Sequence, residues 1–93
     1  MTYSIFVKMS IDIIPLARIK MEKRGIKKEM IIETLKEPDL LSDGHTGRKI
    51  AQRLYTRNDD KKLLRVVYEE ENKTMVVITC YMTSQIERYV KEE

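Results

Sequence analysis

Apolar and polar residues alternate along the second half of the chain in a way that is typical of β-strands. The alternation predicts strands at about residues 48–56, 62–70 and 74–82, joined by short polar turns. Consecutive strands joined by short turns normally pair antiparallel, so we expect a β-meander. The third run is apolar at almost every position, which predicts that this strand lies in the interior of the sheet.

Two amphipathic helices are predicted in the first half of the chain. The first ends at about Arg24, where Gly25 is a typical stop signal, and the second spans about residues 27–37 and ends before Pro38. One apolar stripe on each helix predicts a helical hairpin that covers one face of the sheet. The stripe residues are Ile14, Ala17 and Met21 in the first helix and Met30, Ile31, Thr34 and Leu35 in the second.

Shorter elements are expected around the hairpin. Ser10 or Asp12 has a side chain that suits the N-terminal cap of the first helix. The segments 3–9 and 39–42 alternate loosely and predict short strands. Residues 43–47 contain two glycines and are expected to form a turn.

A short helix is expected at the C-terminal end. Thr83 or Ser84 suits its cap, and Ile86, Tyr89 and Val90 recur on one side of the segment that follows. The predicted fold is therefore α+β, with two N-terminal helices packed on an antiparallel β-meander of three to four strands and a short C-terminal helix.

The composition is that of one folded domain covering residues 1–93. Hydrophobic residues make up 42% and charged residues 35% of the chain, a balance typical of a globular protein. One Cys and one His are too few for a disulfide or a closed zinc site, so neither a metal nor another cofactor is expected. No apolar run reaches the roughly 18 residues of a membrane span and no signal peptide is recognisable, so we expect a cytoplasmic protein without membrane contact.

Charge is distributed unevenly along the chain. Residues 46–65 hold seven Lys or Arg against two Asp, a net of +5, whereas residues 66–93 hold three basic against six acidic residues, a net of −3. A basic stripe of this kind can neutralise nucleic-acid phosphates, although solvated strand faces also collect Lys and Arg.

Arg65 is a cation inside an otherwise apolar strand. Alternation places Arg65 on the same side of its strand as Leu63 and Val67, and it places Lys49 and Arg53 together on one side of the preceding strand. We expect Lys49, Arg53 and Arg65 to lie on the sheet face opposite the helices, or along its rim, and to form a phosphate-sized basic patch. Pairing of Arg65 with a strand neighbour such as a glutamate is the ordinary alternative.

Five short motifs follow one another along residues 21–81. In this order they resemble the domain-of-unknown-function family 4258, which is similar to the RelE/ParE and BrnT toxins, and the resemblance covers about residues 14–89. The motifs are MEKRGI at 21–26, LKEPD at 35–39, GRK at 47–49, LRVVY at 64–68 and VVITCY at 76–81.

The resemblance implies a metal-independent endoribonuclease of a toxin–antitoxin system. RNA supplies its own 2′-hydroxyl nucleophile, so such an enzyme orients the backbone, stabilises the pentavalent phosphate and assists proton transfer. The resemblance gives Arg65 and Tyr89 the catalytic positions, and the implied partners are RNA, including ribosome-bound mRNA, and a small antitoxin protein. The RNA-binding residues expected beside them are Arg48, Lys49, Arg53 and Arg88.

The chain also departs from its relatives. Tyr81, Met82 and Thr83 stand where RelE-like and BrnT-like toxins usually carry Lys or Arg, and Leu16 stands where family members often carry His. These departures keep two other classes open. One is a noncatalytic module of the same fold that binds nucleic acid or protein, and the other is a regulator that forms a homodimer through its first strand and helix.

Overall fold

The computed structural model of the chain describes residues 10–90. This segment contains one sheet and three α-helices. The elements are β1 (Ser10–Ile13), α1 (Pro15–Arg24), α2 (Lys28–Lys36), β2 (Leu40–Asp43), a 3₁₀ turn (His45–Gly47), β3 (Lys49–Arg57), β4 (Asp60–Glu71), β5 (Thr74–Thr83) and α3 (Ile86–Val90).

The strands form a mixed sheet in the order β1-β5-β4-β3-β2. The neighbours β2 to β5 pair antiparallel, which confirms the α+β class and the predicted meander. The sheet within residues 10–90 has five strands, more than expected, because β1 adds to β5 as a parallel edge strand. The strand predicted at residues 3–9 lies outside the described residues.

Two-residue turns join the three long strands. Asn58 and Asp59 have φ values of 52° and 68°, and Asn72 and Lys73 have φ values of 54° and 72°. Two consecutive residues at positive φ match the right-handed twist of a hairpin, and Asn and Asp tolerate this conformation well. The turns are therefore tighter than the sequence predicts, and they fix the register of β3, β4 and β5.

The end of α1 and both ends of α2 agree with the prediction to within a residue. Gly25 ends α1 in the left-handed region at φ 66°, as expected. The expected cap is wrong: Ser10 and Asp12 belong to β1, and α1 begins after Ile14 with Pro15 in its first turn and no side-chain cap. No helix found between residues 10 and 90 is long and apolar enough to cross a membrane.

The core lies between the helices and one face of the sheet. Leu64, Val66 and Val77 are fully buried there. Thr79 does not join them, because a bulge at Ile78 shifts the alternation of β5 by one residue and turns Cys80 inward instead. The buried residues that α1, α2 and the segment between them contribute are Ala17, Met21, Ile26, Ile31, Thr34 and Leu35.

Candidate functional site

Arg65 lies at the middle of β4 on the sheet face opposite α1 and α2. Its neighbours in register are Gln52 on β3 and Tyr81 on β5. The Nη1 atom of Arg65 donates a hydrogen bond to Oε1 of Gln52 at 2.9 Å, and Gln52 is itself buried. Only 8% of Arg65 is exposed, which is unusual for a charged side chain.

Two tyrosines enclose the guanidinium group. The ring centroid of Tyr89, from α3, is 3.9 Å from Arg65 Cζ, and that of Tyr81 is 5.7 Å away. The rings meet edge to face, with centroids 6.4 Å apart. The distances from Arg65 Cζ to the two ring centroids both fall within the range of cation–π attraction. We call Arg65, Gln52, Tyr81 and Tyr89 the Arg65 cluster.

The charge of Arg65 has no acidic partner in the part of the chain that the structure describes. None of the ion pairs formed by residues 10–90 includes Arg65, and its buried Nε atom has no hydrogen-bond partner among these residues. Burying an unpaired charge is costly, and buried arginines normally contact a carboxylate. The guanidinium group therefore retains the capacity to bind an anion.

A cleft of about 390 Å³ opens beside this group. Arg65, Gln52 and Tyr89 line it together with Ser42 of the edge strand β2. The Gln52 amide donates from Nε2 to Ser42 Oγ at 3.4 Å while its oxygen accepts from Arg65, so both ends of the amide are engaged. We call this cavity the Arg65 cleft.

Tyr81 is a hydrogen-bond donor at neutral pH. Burial raises the pKa of its hydroxyl above the ordinary value of 10.0, and the nearby Arg65 charge only partly opposes this effect. The hydroxyl is therefore protonated at neutral pH, and Tyr81 is better suited to act as a proton donor than as a proton acceptor.

The structure contradicts the predicted basic patch. Register pairs Arg65 with Gln52, so Arg53 and Lys49 lie on the other face of the sheet, towards the helices. There Arg53 Nη2 is 3.5 Å from Glu33 Oε2 of α2, and Lys49 Nζ is 3.2 Å from Glu70 Oε1. Lys49 and Arg53 are therefore separated from Arg65 by the sheet itself.

The other two predicted RNA-binding residues differ in position. Arg48 Nε forms an ion pair with Glu69 Oε2 at 3.0 Å. Arg88 lies next to the Arg65 cluster, with its Cζ atom 5.6 Å from the ring centroid of Tyr89 and Nη1 3.2 Å from Oε1 of Gln85. The structure thus brings Arg65, Tyr89 and Arg88 together.

Sequence reasoning missed the role of Gln52, and it treated Tyr81 only as a departure from the basic residues of the relatives. Gln52 stands between Ile50 and Leu54 in the alternation of β3, and a polar residue at such a position is the available signal. This signal points to a site only when the residue of β4 that lies opposite Gln52 is known. Residues 10–90 contain no group of three His, Cys, Asp or Glu side chains close enough to hold a metal ion.

Comparison with known proteins gives one match. The family model described as Domain of unknown function (DUF4258) matches residues 17–82, which include Gln52, Arg65 and Tyr81 but end before α3 and Tyr89. No curated protein and no solved structure shows significant similarity to the chain.

Proposed function

We propose that this chain, which belongs to the DUF4258 family of domains of unknown function, is a metal-independent endoribonuclease of the RelE and BrnT toxin type. The proposed partners are RNA, including ribosome-bound mRNA, and a small antitoxin protein in the cytoplasm. The observation that carries the proposal is the buried guanidinium group of Arg65, which has no acidic partner within residues 10–90 and lines an open cleft.

A phosphodiester is the anion that suits this group best. Guanidinium donors bind two phosphate oxygens at once, and a desolvated charge acts on a developing negative charge more strongly than an exposed one. RNA carries both the phosphate and the 2′-hydroxyl nucleophile. RNA does not supply the positive charge that stabilises the pentavalent phosphate, and the arginine provides it.

The tyrosines supply the remaining functions in this proposal. Tyr81, whose hydroxyl is protonated at neutral pH, donates a proton to the leaving 5′-oxygen. Solvent water accepts the proton of the 2′-hydroxyl as this oxygen attacks phosphorus, so the products are a 2′,3′-cyclic phosphate and a 5′-hydroxyl end, and Tyr81 regains its proton from solvent. Tyr89 orients the Arg65 guanidinium from above and offers its ring for stacking on an unpaired base. Arg88, on the same short helix, adds a cation near the path of the RNA backbone.

A noncatalytic module that binds nucleic acid or protein is the second candidate. It is favoured by the position of Tyr89, whose ring lies over the guanidinium group and leaves it 8% exposed. It is also favoured by the ion pairs of Arg48, Lys49 and Arg53, which occupy much of the basic stripe.

Cleavage of a mixed-sequence RNA, with and without ribosomes, tests the proposal. We expect the folded wild type to cut in at least one setting, also in the presence of a chelator, and Arg65→Ala to lose about a hundredfold or more in rate. Arg53→Ala is the matched control, because it removes the same charge from the opposite face of the sheet. Absence of cutting in both settings, with partner binding retained, would reject the enzyme in favour of the module.

A further inference from the structure

A second cleft lies on the helix side of the sheet, near the turn between β3 and β4. Its volume is about 490 Å³, and it shares no lining residue with the Arg65 cleft. Tyr55 and Lys62, which are opposite each other in register, belong to the face that also carries Leu64 and the core. We call this cavity the Lys62 cleft.

Three cations from separate segments converge on the Lys62 cleft. Lys27 comes from the loop between α1 and α2, Arg57 from the end of β3 and Lys62 from the beginning of β4. Among the described residues that line the cleft, Asp60 is the only carboxylate, and its Oδ2 atom is 3.9 Å from Lys62 Nζ. Neither Lys27 nor Arg57 takes part in an ion pair within residues 10–90, so the cleft has an excess of positive charge.

The remaining lining of the Lys62 cleft is largely apolar. Met30 and Met82 contribute thioether side chains, and Tyr55 contributes its ring. The Tyr55 hydroxyl already donates to Glu33 Oε1 at 2.6 Å, and the charge of Glu33 is balanced by Arg53. The polarizable methionine side chains pack well against flat aromatic rings. The cleft thus combines an apolar floor with a cationic rim.

We propose that the Lys62 cleft binds a nucleotide, with its phosphate at Lys27, Arg57 and Lys62 and its base against Met30 and Met82. A cleft of about 490 Å³ is much larger than a phosphate ion and lies within the usual range for small-ligand sites. The nucleotide is either a free mononucleotide or the terminal residue of an RNA chain. The site uses none of the residues of the Arg65 cluster, so it stands independently of the proposed cleavage.

Titration of the labelled full chain with AMP or UMP, followed by NMR, tests this site. We expect saturable shifts of the Met30 and Met82 methyl signals, whereas inorganic phosphate should shift only signals of the cationic rim. The Arg57→Ala, Lys62→Ala double variant should bind the nucleotides at least about tenfold more weakly, because charge-assisted hydrogen bonds are lost. Lys61→Ala is the matched control, since Lys61 is exposed and points to the other face of β4.

Each outcome bears on the proposal. Retention of binding in Lys61→Ala with loss in the double variant supports it, and tighter binding of a 5′-phosphorylated oligoribonucleotide than of AMP assigns the site to RNA ends. Equal affinity of the two ligands assigns it to free nucleotides. Absence of saturable methyl shifts, or equal weakening in Lys61→Ala, overturns the proposal. Repeating the titration in Arg65→Ala separates this result from any failure of the cleavage assay.

Discussion

The Tyr89 ring lies over the Arg65 guanidinium group with 3.9 Å between its centroid and Cζ, and it takes the place that a carboxylate usually has beside a buried arginine. An aromatic ring stabilises the cation without neutralising it. The positive charge is therefore desolvated but still able to attract an anion, and this property underlies the predictions about the Arg65 cluster.

Replacing Gln52 by glutamate should make the protein more stable and inactive. The new carboxylate would face Arg65, where Gln52 Oε1 now accepts at 2.9 Å, and a charged hydrogen bond is stronger than a neutral one. We expect the charge of Arg65 to lower the pKa of this carboxylate, so the gain in stability should be present above the ordinary glutamate pKa and lost as the pH falls through the lowered value. Urea unfolding at several pH values measures this.

Gln52→Leu is the control for that variant. It keeps a similar side-chain volume but leaves Arg65 Nη1 without its acceptor, so the free energy of unfolding should fall by about 1–3 kcal/mol. A Gln52→Glu protein that is less stable than the wild type at neutral pH would show that Arg65 does not accept an anion in its present position.

Tyr89→Phe and Tyr89→Ala separate the ring of Tyr89 from its hydroxyl. The phenylalanine variant keeps the ring over Arg65, so we expect less than about a tenfold loss in RNA cleavage if the hydroxyl transfers no proton. The alanine variant removes the cation–π contact and should lower stability by about 0.5–2 kcal/mol. Equal and large losses of cleavage in both variants, at unchanged stability, would instead assign a proton transfer to the hydroxyl.

Stability should fall at alkaline pH. Burial raises the pKa of the Cys80 thiol and of the Tyr55, Tyr68 and Tyr81 hydroxyls above their ordinary values of 9.0 and 10.0. In the unfolded chain these groups lose their protons first, so the free energy of unfolding should decrease as the pH rises from about 9 upward and should be insensitive to them below that value.

Urea unfolding at about pH 8 and about pH 10.5 checks this pH dependence. Tyr68→Phe removes one titrating group from the core and should reduce the difference between the two measurements. A free energy of unfolding that stays level or increases over this interval would contradict the assignment.

Most of the fold follows from local sequence patterns. The bounds of β3, β4 and β5 agree with the alternation to within two residues, and Gly25 ends α1 as its conformational freedom predicts. β1 was not predicted at Ser10–Ile13, because four residues of an edge strand carry too little periodicity and its parallel partner lies more than sixty residues away. The bulge at Ile78 could not be predicted either, because the sequence around it is apolar at almost every position and shows no alternation that a bulge would interrupt.

The candidate site could be predicted only in part. Alternation along one strand correctly separates Arg65 from Leu64 and Val66, but it does not give the offset between neighbouring strands. A shift of one residue in the register between β3 and β4 decides whether Arg53 or Gln52 lies beside Arg65. The register places Gln52 there, and the basic patch expected from the sequence is replaced by a buried cation with an amide and two aromatic neighbours.

The most direct test of the account follows the Nε–H signal of Arg65 by NMR while a dinucleotide with a 2′-deoxy substitution at the scissile position is added. This group is buried and has no partner within residues 10–90, so binding of the phosphate to the part of the guanidinium group that lines the Arg65 cleft should produce a large, saturable shift of its signal that weakens as salt is raised. Arg53, in its ion pair on the other face, is the internal reference. An unchanged Arg65 signal at saturation, with shifts confined to other arginines, would contradict the central role of Arg65.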